Sequence, residues 1–212
     1  MGINRVITEK TVQAPLIHII DDDRGLRAAI TDLLQSAGYQ VASYESPSEF
    51  LQAEFDDRPA CLILDIRMPE VSGLDFQDQL KSEGCGMPII LMSGFGDVPT
   101  SVRGIRGGAV DFIEKPIRAQ DLLDAIARAL EEGRRRATIE QREKDARQRF
   151  DSLTPRERDV IERVLKGELS KQIAFSLSLS EVTVKVHRAA AMKKLKVRTL
   201  IELTRLAQTL GR

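Results

Sequence analysis

Short hydrophobic runs alternate with amphipathic stretches over the first half of the chain. The first, third and fourth runs are almost uninterrupted hydrophobic sequence, which is typical of strands covered on both faces of a parallel sheet. The runs predict strands at Leu16–Ile20, Tyr39–Ala42, Cys61–Leu64, Pro88–Met92 and Val110–Ile113. The stretches between them predict crossover helices at Arg24–Ala37, Pro47–Glu54 and Gly73–Ser82. We therefore expect an α/β domain with a doubly wound, five-stranded parallel sheet.

From Gln120 onward the hydrophobic positions take a helical spacing. Leu122, Ile126 and Ala129 lie on one stripe of a helix, whereas the residues after Gly133 are mostly charged. We interpret residues 133–150 as a charged linker that is either helical or frayed. Its few apolar residues do not sustain a heptad pattern, although a short coiled-coil contact is left open.

A second module follows this linker with a specific helix start. Thr154 and Glu157 have the spacing of a capping box with Pro155 at the first helical position, and Gly167 lies where that helix should end. Further helix starts follow at Ser170, Ser180 and Thr199. Four short helices, two of them separated by a turn at 178–180, are the layout of an all-α helix-turn-helix domain. The predicted organisation is a tail at 1–14, the α/β domain at 15–132, the linker at 133–150 and the helical domain at 151–212.

The net charge of the chain is zero, but the charges are segregated along it. Residues 1–118 contain 11 Lys and Arg against 18 Asp and Glu, and residues 119–150 contain 8 against 7. Residues 151–212 contain 13 against 7, a balance of +6. Ordinary surface charge does not explain this segregation. It indicates an acidic or cation-binding site in the first domain and a polyanionic partner for the last.

The sequence gives no indication of membrane insertion, secretion or a disulfide framework. It contains no run of about 18 or more apolar residues, and residues 1–14 lack the hydrophobic segment of a signal peptide. Cys61 and Cys85 have neither metal-binding spacing nor the surroundings of a disulfide framework. We expect a cytoplasmic protein in a reducing compartment, with no membrane partner.

Carboxylates directly follow two of the predicted strands. Asp21, Asp22 and Asp23 come after the first strand, and Asp65 comes after the third. Because the carboxyl ends of parallel strands meet at one edge of a sheet, these groups should crowd together, and uncompensated carboxylates repel one another strongly. A divalent cation with oxygen ligands removes that repulsion, and Mg²⁺ is the usual choice where phosphate is also bound.

Two further strand ends supply groups that suit phosphoryl oxygens. A hydroxyl, Ser93, follows the fourth strand, and an ammonium, Lys115, follows the fifth. With a metal and a lysine spreading the charge, a carboxylate can attack phosphorus in line and become an acyl phosphate. Asp65 is the best candidate for this nucleophile because it stands alone after its strand.

Single residues of these types are usually structural, and only their joint order favours a functional site. Asp23 is better interpreted as the cap of the helix that starts at Arg24 than as a metal ligand. His18 and Cys61 lie within hydrophobic runs, so we expect both to be core residues.

Four segments carry these groups in a fixed order, namely His-Ile-Ile-Asp-Asp-Asp at 18–23, Leu-Asp-Ile-Arg-Met-Pro at 64–69, Met-Ser-Gly-Phe-Gly-Asp-Val-Pro at 92–99 and Gly-Ala-Val-Asp-Phe-Ile-Glu-Lys-Pro at 108–116. Together they resemble the receiver domains of two-component response regulators, in particular the NarL/FixJ family. The resemblance implies the flavodoxin-like receiver fold and phosphorylation of Asp65 by a sensor histidine kinase. It also implies a Mg²⁺ site formed by Asp21, Asp22, Asp65 and the backbone carbonyl of Arg67.

The same resemblance implies that Ser93 is a switch hydroxyl, that Lys115 neutralises the phosphate and precedes a cis proline, and that Phe112 changes rotamer. The sequence departs from the family where Gly104 and Gly107 replace better helix formers. Each interior glycine costs a helix about 0.5–1 kcal/mol relative to alanine. We therefore predict a weakly formed, mobile helix near residues 99–107.

The helix predicted from Ser180 to about Leu195 has a cationic outer face. Its spacing places Val184, Ala191 and Leu195 on the side that faces a core. The side that faces outward carries Lys185, Ala189 and Lys193. Lysines can neutralise DNA phosphates, while side chains near the start of such a helix reach base edges. A basic face alone is weak evidence, because most basic faces are only solvated.

Four motifs strengthen this reading, namely Leu-Thr-Pro-Arg-Glu-Arg at 153–158, Ser-Lys-Gln-Ile-Ala at 170–174, Thr-Val-Lys-Val-His-Arg at 183–188 and Lys-Leu-Lys-Val-Arg-Thr-Leu at 194–200. They resemble the LuxR-type helix-turn-helix. The resemblance implies base-facing positions at Lys185, Val186 and Ala189, and contacts to the DNA backbone from Lys171, Thr183, Lys193 and Lys194. Arg188 is open between packing and phosphate binding.

The sequence thus predicts a transcription regulator in which phosphate on Asp65 alters homodimerisation and binding to promoter DNA, with RNA polymerase as a further partner. We expect no turnover enzyme, although the acyl phosphate should hydrolyse by itself. A Mg²⁺-dependent phosphohydrolase is one alternative, and it would lack a second acid at Arg67. A DNA-binding protein with a vestigial pocket is the other.

Overall fold

Each hydrophobic run in the first half of the chain forms a strand of one sheet. The computed structural model describes residues 14–69, 71–94 and 98–211. Its strands are β1 (Leu16–Ile20), β2 (Gln40–Tyr44), β3 (Ala60–Asp65), β4 (Ile89–Ser93) and β5 (Asp111–Glu114). All are parallel and lie in the order β2-β1-β3-β4-β5. The predicted doubly wound sheet is confirmed.

The crossover helices are α1 (Arg24–Ser36), α2 (Pro47–Leu51), α3 (Gly73–Ser82) and α4 (Val98–Gly107). The helix predicted from Pro47 is shorter than expected and ends before Glu54. Beyond its end, the ring of Phe55 packs on Phe50 and His18, with ring centroids 4.9 and 5.4 Å apart.

Alternate residues of the strands supply two hydrophobic layers, one on each face of the sheet. Ile19 belongs to the layer that includes Leu34 of α1, and Leu64 to the layer that includes Phe76 of α3. This alternation explains why the central strands are hydrophobic at successive positions. The sheet is covered on both faces, and its polar residues concentrate at the strand ends.

Two glycines of α4 lie in close contact with neighbouring side chains. A Cβ atom at Gly104 would lie 2.3 Å from Cδ1 of Leu91, and one at Gly107 would lie 2.9 Å from Oε1 of Gln77. The buried amide of Gln77 donates a hydrogen bond to the Gly104 carbonyl at 3.0 Å. The helix is therefore formed, and its glycines permit the close approach of α4 to β4 and α3. Its local stability stays a prediction.

The next helix, α5 (Ala119–Asp151), is continuous, so the residues of the predicted linker are helical. The chain divides into two compact units, Met1–Arg136 and Ala137–Arg212, and this division falls within the predicted linker. The second unit also contains α6 (Pro155–Leu165), α7 (Ser170–Leu177), α8 (Glu181–Lys194) and α9 (Leu200–Thr209). Among the described residues, no helix combines the length and the hydrophobicity that crossing a membrane requires.

Three helices of the second unit, α6, α8 and α9, begin where their caps predict. Thr154 Oγ1 accepts from the Glu157 amide at 3.3 Å, and the Glu157 carboxylate accepts from the Thr154 amide at 2.8 Å, which completes the capping box. Ser180 caps α8, and Thr199 caps α9. Between α7 and α8, Ser178 adopts a left-handed conformation with φ of 56°, which forms the tight turn of the helix-turn-helix.

Candidate functional site

Four of the predicted site residues stand at the carboxyl ends of adjacent parallel strands. Asp21 directly follows β1, Asp65 ends β3, Ser93 ends β4 and Lys115 directly follows β5. The strands are paired in register, so these residues lie at one edge of the sheet. The fold produces this convergence from residues up to 94 positions apart in the sequence.

Lys115 joins the two central carboxylates. Its Nζ atom donates a hydrogen bond of 2.8 Å to Oδ2 of Asp21 and another of 2.8 Å to Oδ2 of Asp65. The Asp21 side chain is fully buried and that of Asp65 is 5 % exposed, whereas that of Lys115 is 20 % exposed. Ser93 is buried at the same edge of the sheet. The ammonium therefore offsets part of the repulsion between two carboxylates that the fold holds away from water.

The pKa values of two groups reflect this crowding. Burial raises the pKa of Asp21, with a smaller contribution from the Asp65 charge, against lowering by hydrogen bonds from Lys115 and the Asp23 amide. Burial also acts to lower the pKa of Lys115, but its bonds to Asp21 and Asp65 raise that pKa by more. The pocket therefore keeps the lysine charged and disfavours an uncompensated negative charge on Asp21.

The donor set fits a divalent cation. Asp21, Asp22 and Asp65 each offer a carboxylate oxygen, and these oxygens lie within 4.8 Å of one another. Three carboxylates and one ammonium leave an excess of two negative charges, which is the charge of Mg²⁺ with opposite sign. The Arg67 amide donates to Oδ1 of Asp65 at 3.4 Å, so the backbone at Arg67 also lies beside the site. Hard oxygen ligands of this kind are those that Mg²⁺ prefers.

Asp23, His18 and Cys61 have the structural roles that the sequence predicts. Asp23 caps α1, with its carboxylate accepting from the amides of Gly25 and Leu26 at 2.8 and 3.1 Å. His18 is buried, with Nδ1 3.1 Å from the Tyr44 hydroxyl, and Cys61 is fully buried in the core.

Two features that the resemblance implied lie on and after β5. Phe112 is half-buried and packs beside the layer of the core that contains α3. The Lys115–Pro116 peptide bond is cis. Arg27 of α1 adds a contact that sequence reasoning missed, because its guanidinium donates to the Asp21 carbonyl. A single arginine in an amphipathic helix gives no sequence signal for such a contact.

Helix α8 separates buried and exposed residues as its spacing predicts. Val184, Ala191 and Leu195 have no exposed surface. The outward positions are exposed and comprise Lys185, Val186, Ala189 and Lys193. Arg188 is half-buried, and Lys171 is exposed on α7. The second unit therefore presents a cationic helix face to solvent.

Two of the predicted DNA contacts also have partners within the second unit. Lys194 Nζ donates to the carboxylate of Glu157 at 2.6 Å, and Glu157 is buried. The hydroxyls of Thr183 and Ser180 lie 2.8 Å apart at the start of α8. The ion pair joins the start of α6 to the end of α8. The capping box identified Glu157, but nothing in the sequence linked it to Lys194.

Comparison with known proteins matches both units. Residues 17–127 match the family described as response regulator receiver domain, and residues 151–207 match bacterial regulatory proteins of the luxR family. Nodulation protein W of Bradyrhizobium diazoefficiens is 41 % identical, over 96 % of this chain and 89 % of its own length. Response regulator protein TodT of Pseudomonas putida is 43 % identical, over 93 % and 87 %. The solved structure of the response regulator StyR has a TM-score of 0.80 and 39 % identity, covering 92 % of this chain and 99 % of StyR.

Proposed function

This chain belongs to the NarL/FixJ family of two-component response regulators, and from that membership we propose that phosphorylation of Asp65 controls its binding to promoter DNA. The chain is a response regulator with a receiver domain and a LuxR-type DNA-binding domain, and its relatives are transcription regulators. The observation that carries the proposal is the Lys115 ammonium bonded to both Asp21 and Asp65 at 2.8 Å.

The phosphoryl group comes from a phosphohistidine of a sensor histidine kinase. A carboxylate oxygen of Asp65 attacks phosphorus in line, so that a P–O bond forms while the P–N bond to the histidine breaks. Lys115 already touches the attacking carboxylate, and its ammonium is therefore close enough to bind a phosphoryl oxygen. Ser93, buried at the end of the neighbouring strand, supplies the hydroxyl for another.

Receiver domains bind Mg²⁺ at an acidic pocket, and the aspartate cluster of this chain fits that role. We assign the ion to Asp21, Asp22, Asp65 and the carbonyl of Arg67. Bound there, Mg²⁺ supplies positive charge to the phosphoryl oxygens. The protein uses its acyl phosphate as a signal rather than as an intermediate in turnover, and spontaneous hydrolysis of that bond resets it.

The signal then passes from the pocket to the output domain. A phosphoryl oxygen bound by Ser93, together with a rotamer change of Phe112, shifts a two-state receiver, which requires only a few kcal/mol. The shift favours a homodimer that binds promoter DNA in the cytoplasm and contacts RNA polymerase. We assign the receiver to residues 15–132, the linker to residues 133–150 and the DNA-binding domain to residues 151–212.

On DNA, the outward face of α8 enters the major groove. Lys185, Val186 and Ala189 face the bases. The DNA backbone is contacted by Lys171, Thr183, Arg188, Lys193 and Lys194. Exposure of Lys185 and Lys193 on one face supports these roles, whereas the bond between Lys194 and Glu157 gives Lys194 a structural role as well.

The test compares the full-length protein with Asp65→Asn and with Asp32→Asn, a matched change on the exposed surface of α1. Each is incubated with acetyl phosphate and Mg²⁺, and its binding to genomic DNA fragments is measured with and without the phosphodonor. We expect the phosphodonor to tighten selective DNA binding by the wild type and by Asp32→Asn, but not by Asp65→Asn. The wild type and Asp32→Asn should also carry a hydroxylamine-sensitive phosphate. Equal binding by all three proteins in both conditions would refute phosphorylation control.

A further inference from the structure

The outward face of α8 carries an apolar strip that extends beyond the base-facing positions assigned above. Val182, Val186 and Ala189 follow one another at spacings of four and three residues, which places them on one stripe of the helix. Val182 is 71 % exposed and Val186 is 61 % exposed. Val182 is therefore the more exposed of the two valines, although no sequence motif drew attention to it.

Val182 occupies a well-fixed position in the first turn of α8. Ser180 caps this turn by accepting from the Thr183 amide at 3.0 Å, and its hydroxyl also lies 2.8 Å from that of Thr183. A valine in a helix has one strongly preferred rotamer, so its two methyl groups are presented at little entropic cost. Side chains near the start of the second helix of this motif are those that reach base edges.

Positive charge borders the strip. Lys185 lies beside Val182 and Val186, and Lys193 continues the stripe one turn beyond Ala189. Of the 14 residues of α8, Glu181 alone is acidic. An apolar centre with a cationic border matches the major groove, where the thymine C5-methyl is the apolar group and phosphates line the edges. A protein partner would not require this border.

We propose that Val182 is a specificity-determining residue, which together with Val186 reads thymine C5-methyl groups in the operator. This inference rests on the proposed function, because it requires DNA to bind on α8. The recognition is burial of methyl against methyl, so it distinguishes thymine from bases that lack this group without any hydrogen bond from the valines.

The experiment removes the methyl groups from the DNA and leaves its base pairing intact. Operators are first selected from a random-sequence DNA pool with the full-length protein, acetyl phosphate and Mg²⁺. Each thymine of a selected operator is then replaced by deoxyuridine. We expect about a four-fold loss of affinity for each methyl that a valine buries, since a buried methylene contributes about 0.8 kcal/mol.

Two variants locate the reading residue. Val182→Ala should become insensitive to deoxyuridine at one position of each half-site and remain sensitive at another. Ile201→Ala, on α9 and 66 % exposed in the wild type, is the matched control and should keep the wild-type pattern. Thermal unfolding followed by circular dichroism should give equal midpoints for all three proteins, because both side chains are exposed.

The outcomes separate this inference from the proposed function. Failure to select any DNA sequence would refute the proposed function itself. Selected operators that bind equally well with deoxyuridine, or a Val182→Ala variant with the wild-type pattern, would overturn the role of Val182 alone. Unchanged DNA affinity of Val182→Ala with reduced transcription in a reconstituted assay would assign the strip to a protein partner and would also overturn it.

Discussion

In the aspartate pocket, Asp21 and Asp65 are buried and both are bonded to Lys115, whereas the outward side chains of α8 are exposed. Lys115 is bonded to Asp21 and Asp65 at 2.8 Å. Within the described part of the chain, the side chains of Lys185 and Lys193 have no hydrogen-bond or ion-pair partner. The Lys115 ammonium therefore contributes to the stability of the receiver, because it offsets part of the repulsion between the buried carboxylates in the folded state. The α8 face contributes almost nothing to stability until DNA is bound.

This difference predicts how substitutions should behave. Loss of the Lys115 cation leaves buried carboxylates without their partner and costs folding free energy as well as function. A change on α8 removes a contact that exists only in the complex, so affinity falls while stability is unaffected. Pairs of similar substitutions in the two regions test the comparison directly.

The largest contrast is expected between Lys115→Met and Lys185→Met. Lys115→Met leaves two buried carboxylates without their cation, which should lower the free energy of unfolding by about 3 kcal/mol in the absence of divalent cations. Lys185→Met should change it by less than about 0.5 kcal/mol. Urea unfolding of both variants with EDTA provides the measurement.

Mg²⁺ should reduce this contrast. Because the ion brings positive charge to the same carboxylates, adding it should recover part of the stability lost in Lys115→Met and should not affect Lys185→Met relative to wild type. Equal unfolding free energies for the two variants in EDTA would mean that the pocket bonds do not stabilise the fold.

A second contrast concerns Gly104 of α4. Replacing an exposed helical glycine by alanine normally stabilises a helix by about 0.5–1 kcal/mol. Here the new Cβ would lie 2.3 Å from Cδ1 of Leu91, which is itself fully buried. We therefore expect Gly104→Ala to destabilise the receiver by roughly 1–3 kcal/mol through overpacking.

Gly94→Ala is the control for this contrast, because an added Cβ there meets nothing within 4 Å. It should change the midpoint of thermal unfolding much less than Gly104→Ala does. A rise in the midpoint for Gly104→Ala would show that α4 is limited by its helix propensity rather than by its packing.

Gly104 also marks the limit of what the sequence could predict. Hydrophobic runs gave the sheet, and strand ends gave Asp21, Asp65, Ser93 and Lys115, because strand periodicity and the convergence of parallel strands are local or topological rules. Position 104 requires a glycine because a Cβ atom there would lie too close to Leu91, and this closeness depends on how α4 packs. Propensity alone gave a weak helix and missed the contact.

The same limit applies to the second unit. Spacing along α8 identified its buried and exposed sides, because helical periodicity is a local property. The bond between Glu157 and Lys194 joins residues 37 positions apart and required the packing of α6 against α8. A single sequence carries no signal that pairs two charged residues far apart along the chain.

A smaller effect is expected for the adjacent lysines of α8. Lys193→Met should remove a phosphate contact, so the slope of log affinity against log salt concentration should fall by about 0.9 for each domain bound. Lys194→Met should in addition lower the free energy of unfolding by roughly 1 kcal/mol, because it leaves Glu157 without its cation at a partly screened site. Salt-dependent binding isotherms and urea unfolding measure the two effects. Destabilisation by Lys193→Met but not by Lys194→Met would contradict the assignment.

The smallest effect is a pH dependence that belongs to the receiver alone. Burial lowers the pKa of His18, with a further lowering by Arg58 and an opposing effect of Asp56. The ring is enclosed by Tyr44 and Phe50, with centroids 5.8 and 5.5 Å away. The unfolded chain therefore takes up a proton near pH 6.5 before the folded chain does, so stability should fall as pH decreases below about 6.5.

Substitution of each of the two histidines isolates this contribution. The stability of wild type relative to His18→Leu should fall as the pH is lowered from 8 to 5.5, because the variant has no group to protonate at that position. His187→Leu, on half-buried α8 surface, leaves His18 in place and should keep the full pH dependence of the receiver. Parallel pH profiles for wild type and His18→Leu would mean that the folded receiver accommodates the protonated ring. The receiver would then tolerate a positive charge on the buried His18 ring despite the aromatic side chains around it. In that case burial would affect side-chain charge less than the comparison with the exposed α8 face indicates.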